Sequence, residues 1–247
     1  MLKMKLTLLT LACTAFVAAC GGGGGDETPA APDDAVVGLW SGSVSTGASL
    51  NGVVLPDGAY WFIYSGAGDS PGLLQGGFST SAGSFTLPNA MNYNAGLAAP
   101  LAFTASGSYS ASAISGRTSY SNGNTDTFQI SRQAGYDTPT TLASLQGSWR
   151  GTLGMVNGSI AVTIAVAADG SFTGSETEGC RFSGRFSLRP EAKAPVSLTL
   201  TLNPAFCDTG DTVTGVALPW SSGTQLVLGA QLPGRGNAVF GALSRNV

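Results

Sequence analysis

The chain has 247 residues, of which only 10% are charged, 36 are glycine and none is histidine. A charged fraction so far below the roughly 25% of ordinary globular proteins leaves Gly, Ser, Thr and Ala to make the surface, which points to an exported all-β protein. A net charge of −3 with no basic stripe disfavours nucleic acid and anionic headgroups as partners, and without histidine there is no Ser-His-Asp or Cys-His nucleophile system and no imidazole zinc site.

The first segment reads as an export signal. Lys3 and Lys5 supply a positive n-region, and residues 6–19 form an apolar run too short to cross a bilayer comfortably as a helix. Val17-Ala18-Ala19-Cys20 resembles a bacterial lipobox, and the resemblance implies that Cys20 becomes the acylated N-terminus of the mature chain. The alternative is an ordinary signal cleaved at Ala-x-Ala, with Cys20 incidental. Lipoproteins of this type carry three acyl chains (palmitate is typical), and more than one chain makes anchoring durable. Gly21 follows the cysteine where an inner-membrane retention signal would place Asp, so the same analogy implies a cell-envelope location at the outer membrane.

Residues 21–35, GGGGGDETPAAPDDA, have no apolar periodicity and read as a tether, averaging about 20 Å as a coil and reaching roughly 50 Å at full stretch. Removing residues 1–19 takes away Lys3 and Lys5, leaving nine of the eleven basic residues against fourteen acidic ones, a net charge of −5. Of the four cysteines, Cys13 leaves with the signal and Cys20 is the lipid site. The remaining pair, Cys180 and Cys207, reads as a disulfide in an oxidising compartment. Closing that loop of about 27 residues contributes on the order of 3.5 kcal/mol in the chain-entropy account.

The rest of the chain repeats itself. VVGLWSGSV at 36–44 returns as LQGSWRGTL at 145–153, and PDGAY at 56–60 as ADGSF at 168–172. ISGRTSYSNGNT at 114–125 echoes VTGVALPWSSGT at 213–224, and FQISRQ at 128–133 echoes FGALSRN at 240–246. This predicts a tandem duplication: a tether through residue 35, domains at 36–136 and 142–247, and a linker at 137–141. Turn residues cut the first copy into strands at 37–45, 49–55, 59–65, 73–79, 82–88, 101–110, 113–120 and 124–131. The second divides at 146–153, 158–167, 171–175, 180–188, 195–202, 212–218, 224–231 and 236–243, with no helical period in either copy. Alternation is clearest at Ile160, Val162, Ile164 and Val166, and at Val196, Leu198, Leu200 and Leu202. Eight such strands close a small antiparallel meander barrel without exposed edges, so the expected fold is all-β, two barrels in tandem.

The G-x-W on each first strand, with an Arg ending each last strand, resembles the calycins, the lipocalin- and avidin-type barrels. The resemblance implies that Arg132 packs across Trp40, and Arg245 across Trp149, closing one end of each barrel. A β-sandwich pair with a chance G-x-W is the alternative. The ligand-holding positions of avidins find no match here, so the resemblance implies no ligand site. Lipobox, Gly tether and G-L-W-S-G together are also similar to a family of proteobacterial lipoproteins whose activity is not assigned.

Two stretches suggest a contact surface. In YWFIY, 60–64, Tyr60, Phe62 and Tyr64 face one way and Trp61 and Ile63 the other; one row fills the barrel, leaving the other for a partner, a ligand or the second barrel to cover. The apparent loop 88–100 carries Met91 and Tyr93 and reads either as an ordinary surface excursion or as a ligand-meeting loop at a barrel mouth. Turn chemistry accounts for the acid pairs Asp33-Asp34 and Asp208/Asp211 better than calcium does, and Glu176 with Glu178 make no glycosidase by themselves. The sequence therefore implies no cofactor, no metal and no catalysis. It predicts a membrane-anchored lipoprotein binding a small apolar ligand or a protein. The alternative is a structural or surface-interaction lipoprotein with solid barrels, resembling two-lobed surface receptor lipoproteins.

Overall fold

The structure is a computed structural model describing residues 32–66, 69–205 and 210–246. The signal, Cys20, the glycine tract, Cys207 and Asp208 lie outside the described residues. In the first copy the strands are β1 Gly38–Val44, β2 Ser49–Val54, β3 Ala59–Gly66, β4 Asp69–Gly77, β5 Ser79–Ser81, β6 Ser84–Asn94, β7 Leu101–Tyr109, β8 Ala113–Tyr120 and β9 Thr125–Gln133. A one-turn helix α1, Leu142–Leu145, opens the second copy. It is followed by β10 Gly147–Met155, β11 Gly158–Val166, β12 Ser171–Glu176, β13 Arg181–Leu188, β14 Val196–Leu202, β15 Thr212–Trp220, β16 Gln225–Gln231 and β17 Ala238–Arg245.

Each copy is a closed antiparallel meander of eight strands. In the second, β10 pairs with both β11 and β17 and seals the ring. The first closes by β1 on β9 and β4 on β6. Short β5 continues β4 past Phe78 and runs on along β6. Opposite it the β6–β7 register shifts between Leu87 and Ala90, with Asn89 at φ 54°. Pro88 lacks the N–H that a regular ladder needs there, so the strand bulges and bends around the barrel. The apparent loop of Met91 and Tyr93 is thus the second half of β6, an error caused by reading Pro-Asn as a strand end.

Alternation decides what faces inward. Trp40, Leu50, Phe62, Phe85, Phe103 and Ile130 fill the first barrel; Trp149, Ile164, Phe172, Phe186, Leu198 and Leu243 fill the second. Glycines sit where rings cross neighbouring strands. A Cβ on Gly184 would lie 2.3 Å from the Phe172 ring, so only glycine leaves that ring its place.

The two copies share one frame, with one correction. The Asp-Gly turns are equivalent: Asp57 caps the Ala59 N–H and Asp169 the Ser171 N–H. Gly58 and Gly170 have φ of 81° and 83°, and their carbonyls accept from Phe78 and Phe186 respectively. The echo of 114–125 with 213–224 instead pairs strands of different position. Residues 114–120 lie on β8, seventh in its ring, whereas 213–220 lie on β15, sixth in its own.

Domain edges also shift. Residues assigned to the tether belong to the first barrel from Pro32 onward: the Asp33 N–H donates to Thr80 and its carboxylate accepts from Tyr109. The helix missed by periodicity is a single turn capped by Thr141, whose hydroxyl accepts from the Ser144 N–H; four residues are too few to show a period. The linker lies on the second barrel, with Thr140 bonded to Lys193 and Ala194.

Candidate functional site

Three regions carry the chemistry: the closed ends, the junction between barrels, and the open mouths.

At the closed ends the predicted pairs are brought together by register. Trp40 stands opposite Arg132 and Trp149 opposite Arg245, with the guanidinium carbons 4.7 and 4.3 Å from the ring centroids. Each indole N–H donates to the carbonyl four residues earlier, Val36 at 2.8 Å and Leu145 at 2.9 Å. Each arginine then clamps two carbonyls of the same entering turn. Arg132 donates to Val37 and Ala35, and Arg245 to Gln146 and Ser144. The four carbonyls sit three and five residues before their tryptophans, so both copies use one device: a turn folded over the barrel end, with Val36 or Leu145 pressed inward and buried. These are structural parts, which satisfy backbone carbonyls that the entering turn would otherwise leave unpaired.

The proposed contact surface is mostly internal. Tyr60 and Phe62 point into the first barrel, and Tyr64 is partly buried toward its mouth. Trp61 and Ile63 point outward, as predicted, but the second barrel covers them. They join Leu39, Val53, Leu73, Met91 and Tyr93 in an apolar junction with Val156, Val216, Leu218, Val227 and Phe240. Gly229 of β16 is the seat: a Cβ there would come within 3.0 Å of Leu73 and 3.3 Å of Trp61. Polar groups also cross the junction. Tyr93 donates to Gln231, and Arg235 donates to the Gln75 side chain. Burial raises the pKa of the Tyr60 and Tyr93 hydroxyls. Facing along YWFIY was legible from period two; the occupant of its outer face was decided by a strand more than 160 residues away.

Both mouths open opposite the tryptophan ends, and they differ. The second barrel's mouth is a cup of about 450 Å³ whose wall is largely apolar, with Leu153, Ile160, Phe182, Leu200, Val213 and Val239. Glu176, Glu178, Cys180 and Asp211 stand on its rim. Glu176 is held by the N–H groups of Glu178 and Cys180, each at 2.7 Å, so it caps a hairpin turn. The first barrel's mouth, about 610 Å³, is lined instead by Tyr64, Asn92, Asn94, Tyr120, Asn122, Asn124 and Asp126 among a few aliphatics. Burial, with Asp126 nearby, pushes the Tyr120 hydroxyl up to about 12, so it stays a protonated donor at neutral pH. Of these mouth residues the sequence singled out Tyr64, Glu176, Glu178, Cys180 and Asp211, Ile160 and Leu200 by their alternation, and the stretch 88–100 that holds Asn92 and Asn94; Tyr120, Asn122, Asn124 and Asp126 drew no attention. Asparagines spread over turn-rich segments give no periodic signal.

Asp33 is explained locally: its pKa is lowered, first by the Ala35 N–H and then by the Tyr109 hydroxyl. The hairpin of β13 and β14 turns at Ala192 and pairs Phe182 with Leu202. Continuing that ladder sets Cys180 opposite Pro204.

No protein-family model and no curated protein sequence matches the chain.

Proposed function

We propose that the protein is a non-catalytic lipoprotein, anchored to the outer membrane through acylated Cys20, whose second barrel holds a small apolar ligand in its mouth. One observation carries the reading: an apolar cup of about 450 Å³ at the open end of a barrel filled solid beneath it, within the roughly 300–1,000 Å³ of small-molecule sites. Acids at the rim, with no basic side chain lining the cup among the described residues, favour a neutral or cationic amphiphile over a fatty acid anion. A bridge from Cys180 to Cys207 belongs to the same reading. Cys180 is held in a disulfide, and Cys207 is the one other cysteine beyond the expected signal and lipid site. It would brace the cup's rim against the loop after β14.

The test uses neutral N-phenyl-1-naphthylamine as a fluorescent probe. Saturable binding is expected, lost in Leu200→Trp, which fills the cup, and at least about 10-fold weaker for the anionic probe 8-anilinonaphthalene-1-sulfonate. Equal binding by the parent and Leu200→Trp would remove the cup from the account. Native mass spectrometry of protein purified from its own host should then show a retained small molecule.

The anchor is tested separately. Cys20→Ser is expected to abolish acylation and release the protein from membranes, since in this reading the acyl chains supply the anchor. Membrane association that persists without acylation would sink the lipoprotein reading.

The second reading, a surface-interaction lipoprotein with solid barrels, draws on the filled lower interiors, where Phe78 stacks on Phe85 at 4.9 Å and Phe172 lies tilted against Phe186 at 4.8 Å. Against it, the aromatic row that would have made the contact is covered, and Leu188 is the single exposed large hydrophobic among the described residues.

A further inference from the structure

Counting rungs from the paired tryptophans sets the two mouths side by side. In the first barrel the ladder runs Trp40–Gly52–Phe62–Leu74–Asn92. In the second it runs Trp149–Ile164–Gly174–Phe182–Leu202. Asn92 therefore occupies the level that Leu202 occupies in the other copy. By the same count Tyr64 answers to Glu176. One duplicated frame presents an apolar cup at one mouth and an amide-lined cup at the other.

The amide cup is a built feature. Tyr64, Gly72 and Asn94 share one rung. Because Gly72 has no side chain, the Tyr64 phenol lies across it; a Cβ there would stand 2.2 Å from the ring. The phenol hydroxyl donates to Asn92 Oδ1 at 2.8 Å and accepts from Asn94 Nδ2 at 2.6 Å. Asn94 Nδ2 also donates to the Ser70 carbonyl at 2.9 Å and its Oδ1 accepts from the Gly96 N–H at 2.7 Å, so Asn94 keeps a lone pair, and Asn92 its N–H groups, for a ligand. The two carboxamides are thus oriented before any ligand arrives, and Asn92 is buried. Across the cup stand Tyr120, Asn124 and Asp126.

The lining selects its ligand class by elimination. An apolar guest would strip water from amides and hydroxyls and return no hydrogen bonds. No lysine or arginine lines the cup among the described residues, so an anion finds no counter-charge. One carboxylate, Asp126, falls well short of the oxygen set a hard cation needs. Amides that both donate and accept, beside tyrosine rings offering an apolar face, match a neutral ring bearing many hydroxyls. We propose that the mouth of the first barrel binds a neutral mono- or disaccharide, with Asn92, Asn94, Asn124 and Asp126 meeting its hydroxyls and Tyr120 meeting the apolar face of its ring.

The experiment is saturation-transfer NMR on the full chain, in a detergent without a sugar headgroup, with glucose, N-acetylglucosamine and maltose as probes. At least one is expected to bind saturably with a Kd of about 1 mM or tighter. Tyr64→Phe, which unlinks the two carboxamides, should weaken that sugar at least about 10-fold, as should Asn124→Ala on the exposed rim. Leu200→Trp in the other cup should leave it unchanged, which separates this site from the apolar one. Tyr64→Phe could disturb folding, so thermal melts accompany both variants, and Asn124→Ala serves alone if the first does not fold. The proposal is overturned by no saturable binding of any of the three sugars, by equal affinity in Asn124→Ala and the parent, or by loss of sugar binding in Leu200→Trp.

Discussion

Trp149→Ala is expected to destabilise the second barrel by about 3–5 kcal/mol, the range for aromatic truncation in a packed core. The indole is wholly buried and its N–H satisfies the Leu145 carbonyl. Losing it opens a cavity, leaves that carbonyl without its donor and removes the face over which Arg245 lies at 4.3 Å. Arg245→Ala should cost less, because its removal leaves no large void, although the carbonyls of Gln146 and Ser144 lose their donor. The two residues touch, so a double-mutant cycle should return a coupling of about 0.5–2 kcal/mol, the range of a cation–π contact. Denaturant unfolding of the four proteins measures it. Costs that add within error would mean that the stack carries no energy and that the arginine acts only on the entering turn. Trp40 and Arg132 repeat these contacts in the first barrel, where Arg132 Nε also donates to the Ala111 carbonyl, and their cycle should return a similar coupling.

The second large effect lies between the barrels. Two tandem domains joined by a bare linker would melt separately. Here they share an apolar junction centred on Trp61, Leu73, Tyr93, Val227 and Phe240, with Trp61 and Leu73 seated against Gly229. Calorimetry of the parent should therefore show one cooperative transition. Trp61→Ala should lower stability by about 2–4 kcal/mol and split that transition in two, since the side chain belongs to neither barrel's interior. Two transitions in the parent, or one undivided transition in Trp61→Ala, would show that the junction does not couple the copies. Coupling also revises what reduction should do. An effect confined to the second barrel follows from the sequence alone, whereas a shared junction passes part of any loss at Cys180 on to the first.

Much of this architecture was legible along the chain because it rests on short-range physics. Alternation at Val162, Ile164 and Val166 marks a strand with one buried face, and Asp-Gly at 57–58 and 169–170 marks two hairpins at their true places. The repeated G-x-W and terminal arginines carried the resemblance to the calycins that implies each closing pair, and the ladders set those residues opposite one another. The signals that failed were weak or ambiguous locally. Pro88-Asn89 looks like the end of a strand and is a bulge within one; a helix of one turn leaves no periodic trace. The echo between β8 and β15 rested on turn residues, which recur at every hairpin and carry no information about position in a ring.

By itself, then, the sequence determined the class, the duplication and the strand pattern, which follow from side-chain period and from repeated residues, while the two Trp–Arg closures were implied by the resemblance to the calycins. Only the tertiary structure decided that the outer face of YWFIY is an inter-barrel seat, that Tyr93 lies buried beneath Gln231, and that one mouth is polar while the other is apolar. The physical reason is that a barrel mouth is assembled from eight strands whose register accumulates around the ring. Asn92 and Leu202 occupy the same level only after four successive pairings have been counted, and no window along the chain contains that sum.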